Sequence, residues 1–144
     1  MSVLNHCLFN GAIDTAKTLL ENGFDINEKN YIYPISAAIA SENPKVVEFA
    51  INNGAIVNID LGNGWTPLHE AIDAAIDGMI QNNEEAPTRD SLEIIALLIQ
   101  NGADAERVND QGKSPLDLFN VYCTSEERLN ALKAMFKGYI PSIG

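Results

Sequence analysis

Positive charge is what this chain lacks most. Nine Lys and Arg stand against 20 Asp and Glu, a net charge of −11 over 144 residues. A nucleic-acid partner is excluded on that ground, because phosphate binding needs a basic surface. Cysteine is scarce as well. Cys7 and Cys123 lie near opposite ends in no metal-ligand spacing, so each is expected to be a buried thiol. No apolar run approaches the roughly 20 residues of a membrane span, and Met1-Ser2-Val3-Leu4-Asn5 lacks the basic end and apolar stretch of a signal peptide. A cytoplasmic protein without membrane contact is expected. Catalytic signatures are missing too: there is no Gly-x-Ser-x-Gly, phosphate loop or Cys/His pairing. No enzyme, cofactor or metal reading follows from the residues.

What is present is a core-forming composition, 46% hydrophobic, sized for a single domain. It is organised by a repeat. Asn22-Gly23-Phe24-Asp25-Ile26-Asn27, Asn53-Gly54-Ala55-Ile56-Val57-Asn58 and Asn101-Gly102-Ala103-Asp104-Ala105-Glu106 each close an apolar helical run, while Pro34, Pro67 and Pro115 each open one. Pro34 to Pro67 is 33 residues, and Pro67 to Pro115 is 48, so one unit carries 15 extra.

Gly64-Trp65-Thr66-Pro67-Leu68-His69-Glu70-Ala71 resembles the ankyrin signature Gly-x-Thr-Pro-Leu-His-x-Ala. Ile94 to Asp104 is similar to that family's second helix and its Gly-Ala-Asp ending. Tyr33-Pro34-Ile35-Ser36 and Ser114-Pro115-Leu116-Asp117 are degraded copies, and the first unit starts directly in its helix at about Val3. The resemblance implies an all-α solenoid, one domain over 1–144, of about four helix-turn-helix units with hairpin-like loops. The units are drawn at 1–28, 29–60, 61–108 and 109–144, the third enlarged by about 15 residues.

Each motif residue has a physical task. Proline at the first helical position gives up an amide that would be unbonded anyway, and Thr66 before it can cap the helix. Leu68 and its counterparts Leu4, Ile35 and Leu116 are assigned to the core, with Val46, Val47, Phe49 and Ile51. Gly23, Gly54 and Gly102 are expected in a left-handed conformation at helix ends. Asn43-Pro44, and Thr124 with Glu127, read as caps of second helices. Lys17, Thr18 and Glu21 at one end, and Glu126, Arg128, Lys133 and Lys137 at the other, suit the polar outer faces of end units.

The 15 extra residues fall within Asp73 to Ser91. Leu68, Ile72, Ala75, Ile76 and Met79 keep an apolar stripe at helical spacing, which predicts a first helix running to about Gln81. A polar loop and a helix start at Thr88 or Asp90 follow. On the long helix Glu70, Asp73 and Asp77 share one face. From Asp60 to Glu106 there are ten Asp and Glu against Arg89 alone, nine of the eleven excess negative charges. The stripe is either a solvated face or a surface for a cationic partner. As a metal or acid-base site it lacks His at ligand spacing.

The resemblance assigns His69 to hydrogen bonds that tie adjacent loops, and places Trp65 at a hairpin tip. There it either anchors a partner or covers the hairpin. Ile32 and Lys113 are its equivalents, with Tyr31 and Tyr33 alongside. Binding by such stacks uses the tips and the concave face of the first helices. That implies Lys29, Asn30, Ile32, Asn63, Trp65, Asp110, Gln111 and Lys113 at the tips, and Ala37, Ser41, Glu70, Asp73 and Ala74 on the helices. The expected function is a protein-binding module, monomeric alone: an acidic immunity or inhibitor protein that neutralises a basic toxin or nuclease-like enzyme. The alternative is a general ankyrin adaptor or regulatory subunit in a larger assembly.

Overall fold

The computed structural model describes residues 2–84 and 86–122 together with 126, 127, 130, 133, 134, 137 and 138. Helices come in pairs: α1 (Val3–Phe9) with α2 (Ile13–Glu21), α3 (Pro34–Ala40) with α4 (Pro44–Asn52), and α5 (Pro67–Gln81) with α6 (Arg89–Gln100). A short α7 (Leu118–Tyr122) opens the last unit. The first helices pack in a row, α1 on α3, α3 on α5 and α5 on α7, and α4 packs on α6 behind them. No unit buries its apolar face alone, so the stack is what folds.

The helix boundaries follow local chemistry. Ser2, Asn43, Thr66 and Thr88 each accept a backbone amide of the first turn that would otherwise be unpaired. Pro34, Pro44 and Pro67 occupy first helical positions. Gly23, Gly54 and Gly102 all lie at φ 96°, past the second-helix ends, as expected. α5 ends at Gln81, so the enlargement is now divisible. Relative to the second unit, eight residues lengthen the first helix, four the connecting loop and three the second helix.

Leu4, Ile35 and Leu68 are buried, as are Val46 and Val47. Three assigned core residues are only half-buried: Leu116, Phe49 and Ile51. Leu116 differs because Pro115 opens no α-helix. Asp117, Leu118 and Phe119 bond three residues back, to Ser114, Pro115 and Leu116, and this tighter turn rotates the following residues. Phe119, fully enclosed, fills the core in its stead. Cys7 is half-buried and free. Lys17, Thr18, Glu21, Glu126 and Lys137 are exposed, and Lys133 is partly so. Cys123, Thr124 and Arg128 lie outside the described residues.

Two asparagines not singled out above stitch the loops together. Asn27 donates to the Gly54 carbonyl and accepts the Ile56 amide, at 2.9 Å each. Asn58 does the same to Gly102 and Asp104, at 2.8 and 2.9 Å. Each stands four residues after its unit's glycine.

Candidate functional site

The site is built around one motif position, the fourth residue of each unit's capping sequence. In the third unit it is His69, fully buried. The Thr66 amide donates to its Nδ1 at 3.1 Å, which leaves the proton on Nε2 to be donated to the Lys113 carbonyl at 2.8 Å. Burial lowers the pKa of His69, and the amide pointing at Nδ1 also favours the neutral ring. In the first unit the position is Asn5, whose amide donates to the carbonyls of Asn30 and Ile32 at 3.1 and 3.0 Å. In the fourth it is Asp117, paired with Ser114 as a reciprocal cap. The Ser114 amide holds the Asp117 carboxyl below the usual carboxylate range.

In the second unit it is Ser36, and serine is too short to reach the next hairpin. Its hydroxyl donates instead to Glu70 Oε2 at 3.1 Å. At this junction the chain leaves a groove of about 800 Å³. Its walls are Tyr31, Ile32 and Tyr33 of one hairpin, Leu61, Asn63 and Trp65 of the next, and Asn109 to Gln111 beyond, with Ser36, Ala40 and Glu70 on the helices. It is a concave surface in which aromatic and aliphatic walls stand beside polar and charged side chains, Lys29, Ser36, Asn63, Glu70, Asn109, Asp110 and Gln111, and such a mixture suits a binding site.

The structure sorts the sequence-derived residues. Lys29, Ile32, Asn63, Trp65, Glu70, Asp110 and Gln111 come together in the groove. Asn30, Asp73, Asp77 and Lys113 do not line it. Asn30 is fastened by its backbone to Ile32 and Asn5, and Lys113 presents its carbonyl to His69. Asp77 is exposed and accepts from Gln81 at 2.8 Å. Glu70 is not part of a solvated stripe: it faces α3 through Ser36, and burial, with the Asp73 charge nearby, raises its pKa. Ala37 is wholly buried, so it offers no surface, and Ser41 caps the end of α3 by donating to the Ala38 carbonyl. Ser36 and Ala40, one helical turn apart, are the α3 residues that face the groove.

Burial favours the protonated form of Glu70, so the stability this group supports is fullest below its ordinary pKa of 4.5 and is lost as pH rises through the folded value. Glu70→Gln keeps an acceptor for Ser36 and removes the buried charge. It should leave the melting temperature unchanged at acid pH and raise it at neutral pH, measured by thermal denaturation.

Tyr31 was placed beside the strip of hairpin-tip residues, but its left-handed backbone was not foreseen. It sits three residues before the helix-opening proline, where the other hairpins carry Gly64 and Gly112, and all three backbones are left-handed, at φ 63°, 76° and 75°. A non-glycine side chain there is strained, and strained residues cluster at functional sites. Tyr31 is also 84% exposed, so its ring repays the strain with little packing. Tyr31→Gly should therefore raise stability by about 0.5–1 kcal/mol in chemical denaturation while removing one wall of the groove.

Trp65 is half-buried, its ring centroid 5.0 Å from that of His69 at a 31° tilt. Its position in the groove is therefore set by the histidine that locks the hairpin. Among the described residues no three His, Cys, Asp or Glu side chains are grouped to hold a metal, and no helix is long and apolar enough to cross a membrane.

Comparison with known proteins agrees with this architecture. Residues 4–83 match a family model described as ankyrin repeats in three copies, and residues 63–113 match one described as ankyrin repeat. No curated protein sequence matches the chain. Among solved structures, it is similar to the ankyrin repeat domain of Bcl-3, a member of the IkappaB protein family, with a TM-score of 0.65 and 22% identity. That superposition covers 90% of this chain and 50% of the other, so the chain spans about half the length of the Bcl-3 domain and shares its fold. With more than half of its residues matched by the repeat model, the chain belongs to the ankyrin repeat family.

Proposed function

We propose that this chain is a non-enzymatic binding module that seats a protein partner in the groove between its hairpins and first helices. We further propose that the partner is a basic protein, a toxin or nuclease-like enzyme, which a cytoplasmic chain of this kind would neutralise. The observation that supports this most is the groove itself: Tyr31, Ile32, Tyr33, Leu61 and Trp65 supply apolar anchors beside the half-buried carboxylate of Glu70. The −11 charge supports the basic partner, since an acidic surface accelerates capture of a cationic one. A rigid surface limits the entropy lost on binding.

The apolar walls also suit an adaptor or regulatory subunit in a larger assembly, and ionic strength separates the two. Capture of a basic toxin should slow steeply between low and physiological salt, mostly in the association rate. An association rate indifferent to salt would favour the adaptor. Co-expression with a toxin encoded beside the gene should restore growth, and continued killing would count against the inhibitor reading.

A further inference from the structure

The groove has one carboxylate on its floor and a defined set of charges around it. Its charged lining residues are Lys29, Glu70 and Asp110, a net of one negative charge. Lys29 already lies over the Tyr33 ring, its ammonium 5.8 Å from the centroid. The chain's own cation thus uses one aromatic face and adds a positive charge that a run of lysines would meet. Glu70 Oε2 accepts the Ser36 hydroxyl at 3.1 Å, while Oε1 has no hydrogen-bond partner among the described residues. Trp65, in the same groove, is backed by His69 and held in place.

We infer that the groove receives one arginine side chain of the protein partner, its guanidinium paired with Glu70 and lying along Trp65, with neutral apolar residues on either side. Charge complementarity sets the number, one cation for a lining of net −1. Chemistry sets the type. Guanidinium is planar, weakly hydrated, pairs with a carboxylate through two N–H bonds and stacks on aromatic rings, whereas ammonium is a strongly hydrated point charge. The flanking apolar residues meet Tyr31, Ile32 and Leu61. The inference also accounts for a charge the fold does not need, because a glutamine would satisfy Ser36 equally well. Partial desolvation of Glu70 strengthens its attraction for an incoming cation.

The inference rests on the groove being the docking site, and its test can fail separately from that reading. Trp65 is the only tryptophan in the chain, so its fluorescence reports the groove directly. The probes are blocked tripeptides with arginine, lysine or citrulline between two leucines; citrulline keeps the shape and loses the charge. The arginine peptide should change Trp65 emission at millimolar concentration and bind at least tenfold more tightly than the citrulline peptide, about the ratio expected for a partly buried charge pair. Glu70→Gln should abolish that preference while its melting curve stays as cooperative as that of the wild type. Glu70→Asp, which retains the charge, should keep part of it. Equal binding of the arginine and citrulline peptides, an unchanged preference in Glu70→Gln, or a lysine peptide as tight as the arginine one overturns the assignment and leaves the docking site standing. No emission change with any peptide overturns it as well. Loss of the docking reading would appear instead as undiminished partner affinity in Trp65→Ala.

Discussion

His69→Ala is expected to destabilise the protein by about 3–5 kcal/mol, from the cavity left by a buried ring and two hydrogen bonds lost in or near the core. The substitution strips the buried Thr66 cap of its reciprocal partner and leaves the Lys113 carbonyl without its Nε2–H donor. It also removes the ring that backs Trp65. For a chain of this size that loss lowers the melting temperature by roughly 10–15 °C. Because a solenoid holds each unit through its neighbours, the unit following Lys113 should loosen first, visible as a broader transition by circular dichroism. The pH dependence provides an independent check. The folded pKa of His69 is depressed, so its contribution is fully present above the ordinary value of 6.5 and is lost as pH falls through the folded pKa. The gap between wild type and His69→Ala should therefore narrow on acidification below 6.5. A gap that stays constant with pH would mean that His69 does not act as a neutral, two-sided tie.

Trp65→Ala is expected to weaken partner binding by at least about 2 kcal/mol, a roughly thirtyfold rise in Kd. Tryptophan is among the side chains that carry the most energy at interfaces, and this one is half-buried in the groove wall, its ring against that of His69 before any partner arrives. Trp65→Phe separates binding from folding, since it keeps an aromatic ring against His69 and should lose less affinity than alanine at nearly wild-type stability. The measurement is calorimetric titration with the partner protein, beside a melting curve of each variant. Affinity unchanged in Trp65→Ala would move the binding surface away from the groove and leave Trp65 as cover for its hairpin.

The two predictions draw on different levels of information. His69 was legible because Thr-Pro-Leu-His resembles the ankyrin signature: the cap, the helix start and the core residue are local, and the resemblance supplies the tie to a loop in the next unit. Gln81 as the end of α5 was legible for a local reason, since Leu68, Ile72, Ala75, Ile76 and Met79 recur at helical spacing until the pattern stops. Asn27 and Asn58 carried a signal too, an asparagine four residues after each of two glycines, but its meaning depends on a loop from another unit. Glu70 was placed on the correct helix and, by resemblance, on the concave face, but its contact with Ser36 was not foreseen. The charge pattern of α5 shows which residues share a face, and it cannot show that α3 presents Ser36 to that face.

The sequence by itself determined the helix starts and stops and the repeat signature, because these depend on residues within one or two turns of one another, and the period and the acidic imbalance, because these are read along the chain however it folds. Tertiary structure alone decided where the groove opens. It opens beside Ser36 because that side chain is too short to tie its hairpin, whereas Asn5 and His69 reach theirs, and only the stacked units place Tyr31, Trp65 and Glu70 around the space that remains. The strain at Tyr31 belongs to the same level, since its left-handed backbone is imposed by a hairpin whose counterparts use glycine.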